Sequence, residues 1–103
     1  MDETYFKVKS KLGKEISITE IYWQFIVSEK HRNIKGKEKL VQESLLEPIL
    51  IKASKKDPKV VLYYRSFENK YLCTVVRHEN GTGFIITVYI TDKIKEGKIL
   101  WEK

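Results

Sequence analysis

The sequence predicts an α+β domain in which an N-terminal hairpin and two helices pack on one face of a twisted, antiparallel four-stranded sheet. Three observations predict it. Apolar residues alternate with polar ones up to about residue 18, they recur at helical spacing from about 20 to 46, and the second half holds four short segments rich in β-branched and aromatic residues with turn signals between them. The 103 residues, 42% of them hydrophobic, carry enough apolar material for one core without disulfides, so a single domain spanning the chain is expected.

From Tyr5 to Leu12 the alternation puts Phe6, Val8 and Leu12 on one side and Lys7, Lys9 and Lys11 on the other, as a half-buried strand requires. Gly13-Lys14 reads as a tight turn, after which Ile16 and Ile18 continue the pattern as the second arm of a hairpin. Ser17-Ile18-Thr19-Glu20 has capping-box spacing and predicts the start of a helix. Along that helix Ile21/Phe25, Tyr22/Ile26 and Trp23/Val27 lie four apart, so it must be covered on more than one side, and it should end between Ser28 and Arg32. Leu40, Val41, Ser44 and Leu45 define a second helix from about Lys37 to Leu46, stopped by Pro48. Strands follow at Ile49 to Ala53, Val60 to Arg65, Tyr71 to Val76 and Phe84 to Ile90, with turns at Asp57-Pro58, Phe67-Glu68-Asn69 and Asn80-Gly81. The tail from Thr91 receives no element; Ile94, Ile99, Leu100 and Trp101 are expected to cover an edge or the open face.

The net charge is +6, and Lys30 to Lys39 alone carries five basic residues against Glu38. Such a concentration attracts polyphosphate or an acidic protein. The single cysteine, Cys73, sits in an apolar run and reads as a buried thiol, which excludes a disulfide framework or a cysteine-based metal site. No His/Cys/carboxylate cluster has zinc spacing, no glycine-rich loop suits a nucleotide phosphate, and no serine stands in a nucleophile turn, so neither metal nor cofactor is expected. The acidic Met1-Asp2-Glu3-Thr4 start and the lack of a long apolar stretch predict a cytoplasmic protein with no membrane segment.

Four side chains stand out for chemistry. His31 closes the first helix inside the most basic segment, where an imidazole exchanges protons near neutral pH. Arg65 ends an apolar strand and by period-two counting shares a face with Tyr63 and Val61. On the last of the four strands Thr87 and Tyr89 share a face with Ile85 and Thr91, while Phe84, Ile86, Val88 and Ile90 point into the core. If they converge, they meet the demands of RNA cleavage by the neighbouring 2′-hydroxyl: a proton-transfer group, a cation for the phosphorane, and hydrogen-bond donors for the phosphate. The blander alternatives are a helix-end histidine serving only the terminal carbonyls, and ordinary strand formers on a solvated face. His78 reads as a loop residue, and Glu43 and Glu47 as solubilising charges.

Trp23 with the helix-ending His31, the Gly36-Lys37-Glu38 to Glu47-Pro48 helix, Ser54, Leu62-Tyr63-Tyr64-Arg65, and Ile85-Ile86-Thr87-Val88-Tyr89 followed by Thr91, Ile94, Lys95, Gly97 and Trp101 together resemble the small nuclease domains of phage and toxin systems grouped as the barnase, EndoU, colicin and RelE (BECR) fold. The resemblance implies a metal-independent endoribonuclease, a toxin of a toxin-antitoxin pair, with RNA as substrate and an acidic antitoxin as partner. It implies catalytic roles for His31, Arg65, Thr87 and Tyr89, and substrate contacts from Ser54 and Tyr64, while Arg32 and Lys35 are substrate-contact candidates from the charge of the basic segment. Arg32 and Gln24 stand where relatives commonly carry a proline and a second histidine. A domain that binds RNA without cutting it, or that recognises a protein, is the alternative.

Overall fold

The alternation of the first twenty residues does close a hairpin. In the computed structural model, which describes residues 3–103, β1 (Thr4–Lys9) runs antiparallel to β2 (Glu15–Thr19), with Phe6 opposite Ile18 and Val8 opposite Ile16. The connection is longer than Gly13-Lys14. It spans Ser10 to Lys14, closed by the Ser10 N–H donating to the Lys14 carbonyl at 2.7 Å, and Gly13 sits at φ +83°, where a Cβ is disfavoured.

The sheet differs from the expected one. β3 (Leu50–Ser54), β4 (Val60–Phe67), β5 (Lys70–His78) and β6 (Thr82–Thr91) form the predicted antiparallel meander, but the sheet has seven strands in the order β1-β2-β6-β5-β4-β3-β7 and is mixed. β2 pairs in parallel with β6, Glu15 to Ser17 against Thr82 to Phe84, so the hairpin extends the sheet instead of packing on it. The other extension is the tail, where β7 (Gly97–Glu102) pairs antiparallel with β3. Both additions have one cause: the outer edges of β6 and β3 expose unpaired backbone groups that another strand can satisfy. Gly97 permits the second, since a Cβ there would run into the Ala53 carbonyl oxygen.

Helix α1 (Glu20–Phe25) begins two residues later than the capping-box reading. Ser17 lies within β2, paired with Lys7 on one side and Phe84 on the other, and Thr19 takes the N-cap role, its Oγ1 accepting from the Tyr22 N–H at 3.1 Å. The helix then widens into a π-helical stretch, Ile26–Lys30, and is followed by a 3-10 turn, Arg32–Ile34, and by α2 (Glu38–Leu46). Trp23, Ile26, Val27, Ile34, Val41 and Leu45 from these segments join Val8, Ile16, Ile51, Val61, Tyr63, Leu72, Val76, Ile85 and Val88 in the larger core.

The expected arrangement of two helices on one face and a bare sheet on the other is also corrected. α1 wraps round the edge of β6 that β2 leaves uncovered, where the Tyr22 hydroxyl donates to the Ile86 carbonyl at 2.6 Å. The opposite face carries a second cluster of Leu50, Leu62, Tyr64, Cys73 and Val75, against which Ile94 of the β6–β7 loop packs. No helix among the described residues is long and apolar enough to cross a membrane.

Candidate functional site

His31 is positioned by the π-helical turn before it. Its backbone N–H donates to the Ile26 carbonyl at 2.7 Å, and the chain then turns away at φ −141°, ψ 86°, ending the helical segment beside β6. There the imidazole lies against the Tyr89 ring, with centroids 5.9 Å apart and planes inclined by 40°. Partial burial, and then the charge of Lys30, hold its pKa below the ordinary histidine value, which favours the neutral ring.

Tyr89 reaches this place because of a bulge. Val75 pairs with Thr87 but Val76 pairs with Ile85, leaving Ile86 as the extra residue of β6. The parity of the strand changes there. Ile85, Val88 and Ile90 face the larger core, whereas Ile86, Thr87 and Tyr89 belong to the other side, which corrects the grouping of Thr87 and Tyr89 with Ile85 and of Ile86 with the core. Across that side Tyr64, Cys73 and Tyr89 are register partners on three adjacent strands. Burial raises the Tyr64 hydroxyl and the Cys73 thiol to about 12 each, and raises Tyr89 further, with the neighbouring Cys73 and Tyr64 adding to it. All three therefore stay protonated: Cys73 is no nucleophile, and Tyr89 is a hydrogen-bond donor, not a base. The Tyr89 hydroxyl and Thr87 Oγ1 are buried atoms with no hydrogen-bond partner among the described residues. In most proteins such groups are paired; both are enclosed by protein here, the Tyr89 hydroxyl beside Tyr64 and Cys73, so they meet a polar ligand only where the surrounding side chains open.

The loop after β6 brings in a residue that sequence reasoning passed over. Lys95 lies with its ammonium over the Tyr89 ring, 5.6 Å from the centroid, while its backbone N–H donates to the Tyr64 hydroxyl at 3.1 Å. Its carbonyl accepts from Lys52 Nζ at 3.1 Å. Its place within the stretch carrying the family resemblance was the one available signal; no strand or helix period places a loop residue on a ring.

The remaining candidates do not converge on this place. Arg65 does share a face with Tyr63 and Val61, but that face is the larger core's: its register partners in the neighbouring strands are Leu72 and then Ile90. Arg65 is thus on the opposite side of the sheet from Thr87 and Tyr89, and its Nη1 donates to the Glu47 carbonyl at 2.6 Å, closing the C-terminus of α2. Ser54 ends β3, its Oγ accepting from the Lys56 N–H, three strands away from β6. Arg32 and Lys35 border a separate hollow with Gln24, Val27, Ser28 and Glu29. Tyr64 is brought to Tyr89, but as a fully buried residue whose hydroxyl serves the loop backbone. His78 is more than a loop residue: its Nε2 lies 3.0 Å from the Tyr63 hydroxyl, which donates to the buried Ser10 Oγ at 2.9 Å.

Among the described residues no group of three or more His, Cys, Asp or Glu side chains is placed to hold a metal ion. No family model matches the sequence, and neither a curated protein nor a solved structure matches it.

Proposed function

We propose that this chain is a metal-independent endoribonuclease of the cytoplasm that cleaves RNA through attack of the 2′-hydroxyl, with His31 as the proton-transfer group. The observation that carries the reading is the imidazole packed against the Tyr89 ring, where partial burial favours its neutral form. That ring belongs to a strand that also carries two unpartnered hydroxyls, in a chain of net charge +6. In the reaction His31 removes the proton of the 2′-hydroxyl, the oxygen attacks phosphorus, and the bond to the 5′-oxygen breaks. The imidazolium returns its proton to that leaving oxygen. The products are a 2′,3′-cyclic phosphate and a 5′-hydroxyl. Thr87 and Tyr89 supply hydrogen bonds to the phosphate oxygens once their enclosed hydroxyls turn toward the ligand, and the Lys30 to Lys39 segment holds flanking phosphates. The concentrated basic charge also suits an acidic antitoxin as partner.

The test is incubation with a mixed-sequence RNA in EDTA, with the product ends identified, beside His31→Ala and Tyr89→Phe proteins of unchanged melting temperature. Cyclic phosphate ends formed by the wild type and lost by a factor of about 10² or more in His31→Ala support the reading. Full activity in His31→Ala removes it. One observation favours a second reading: Arg65 is turned to the other face and committed to α2, so the site lacks the guanidinium that the family resemblance leads one to expect. A module that binds RNA and leaves it intact is then the conclusion if uncut RNA is recovered from tight, salt-sensitive complexes.

A further inference from the structure

A phosphodiester cleaved beside His31 needs a cation within reach of the phosphorane oxygens, and Arg65 lies on the wrong side of the sheet to provide it. We infer that Lys95 is that cation: the residue that grips the scissile phosphate and stabilises the charge that develops on it. The inference rests on the ribonuclease reading of the His31 site and names the residue which that reading leaves open.

Three features carry it. Lys95 and His31 both pack around the ring of Tyr89, at 5.6 and 5.9 Å from its centroid, which gathers the ammonium and the imidazole about one side chain. Lys95 is an exposed residue and its ammonium, over the Tyr89 ring, forms no ion pair among the described residues, so its charge remains to be matched by an anion. Its backbone is nevertheless held from two strands, by the Tyr64 hydroxyl on β4 at the N–H and by Lys52 Nζ on β3 at the carbonyl. A fixed main chain under a free charged head is how a loop residue delivers charge to one point; most surface lysines have the free head alone. Lys52 is then a positioning residue, its own ammonium occupied in holding the loop.

The experiment compares wild type, Lys95→Ala, Lys95→Arg and Arg65→Ala in single-turnover cleavage of RNA in EDTA. It adds binding of a 2′-O-methylated RNA, which cannot be cut, over a range of salt concentrations. Lys95→Ala should slow cleavage about 10- to 100-fold and lower the slope of log affinity against log salt by about 0.7, the loss of one single-strand phosphate contact. Lys95→Arg should restore most of both. Arg65→Ala should keep the slope and, at a temperature where it is folded, most of the rate. If Arg65→Ala loses cleavage while Lys95→Ala keeps both rate and slope, the assignment of Lys95 is overturned and the ribonuclease reading stands. If the wild type neither cuts RNA nor binds the methylated strand, that reading falls, and the inference with it.

Discussion

The imidazoles of this protein illustrate how one side chain answers to its surroundings. His31 and His78 are both pushed below the usual histidine pKa, mainly by burial, with Lys30 acting on the first and Lys14 on the second. A base of this kind works when neutral, so cleavage should decline at a lower pH than an unperturbed histidine would give. Lys30→Gln removes a charge that favours the neutral form, and the acid limb of the pH–rate profile should move to higher pH; an unmoved limb would mean that the limb reports another group. The same shifts bear on stability. A histidine whose folded pKa is depressed contributes fully above its unfolded value near 6.5 and loses that contribution as pH falls toward the folded value. The melting temperature should therefore drop between pH 7 and pH 5, and His78→Gln should flatten the drop while keeping a hydrogen-bonding partner for Tyr63. Of the eight site candidates, His31, Thr87, Tyr89 and Tyr64 come together or share a face, and Arg65 does not. Its parity within β4 was legible. What local counting lacks is the phase of one strand against another, which the bulge at Ile86 alters by one residue.

Among the elements, β7 is the one that most needs its tertiary setting. Its residues Ile99 and Leu100 stay exposed and Trp101 alone packs against the larger core, so its place depends heavily on the ladder with β3. Gly97→Ala forces a Cβ against the Ala53 carbonyl and should cost about 1–3 kcal/mol, with faster amide exchange confined to β7 and β3. Because Gly97 follows directly on the Lys95 loop, the same substitution should weaken RNA binding; loss of protection across the whole sheet would instead mean that β7 is integral to the global unit. Toward the other end of the sheet, the helical segment is tied to β6 by the Tyr22 hydroxyl on the Ile86 carbonyl. Tyr22→Phe should lower stability by about 1 kcal/mol in chemical denaturation, since it removes one hydrogen bond and little packing. The π-helical turns were not legible at all. An i to i−5 bond such as His31 to Ile26 leaves no period in a sequence, yet it sets where the imidazole emerges.

For the whole molecule the governing property is charge. A chain of net charge +6 in which Lys30 to Lys39 forms one block should bind RNA with an affinity that falls steeply with salt. Replacing Lys35 and Lys39 by glutamine should lower the slope and weaken binding equally for unrelated sequences, whereas a sequence-dependent loss would point to base contacts. By itself the sequence determined the α+β class, the position of most strands and of both helices, the basic block and the burial of Cys73. Alternation, helical spacing and turn residues act within about ten positions and survive in any fold. Only the tertiary structure decided that the hairpin joins β6 in parallel, that the tail becomes a seventh strand, and that Arg65 and Tyr89 face opposite ways. Those outcomes follow from which unpaired edges meet and in what register, and edge and register belong to pairs of distant segments, not to either segment alone.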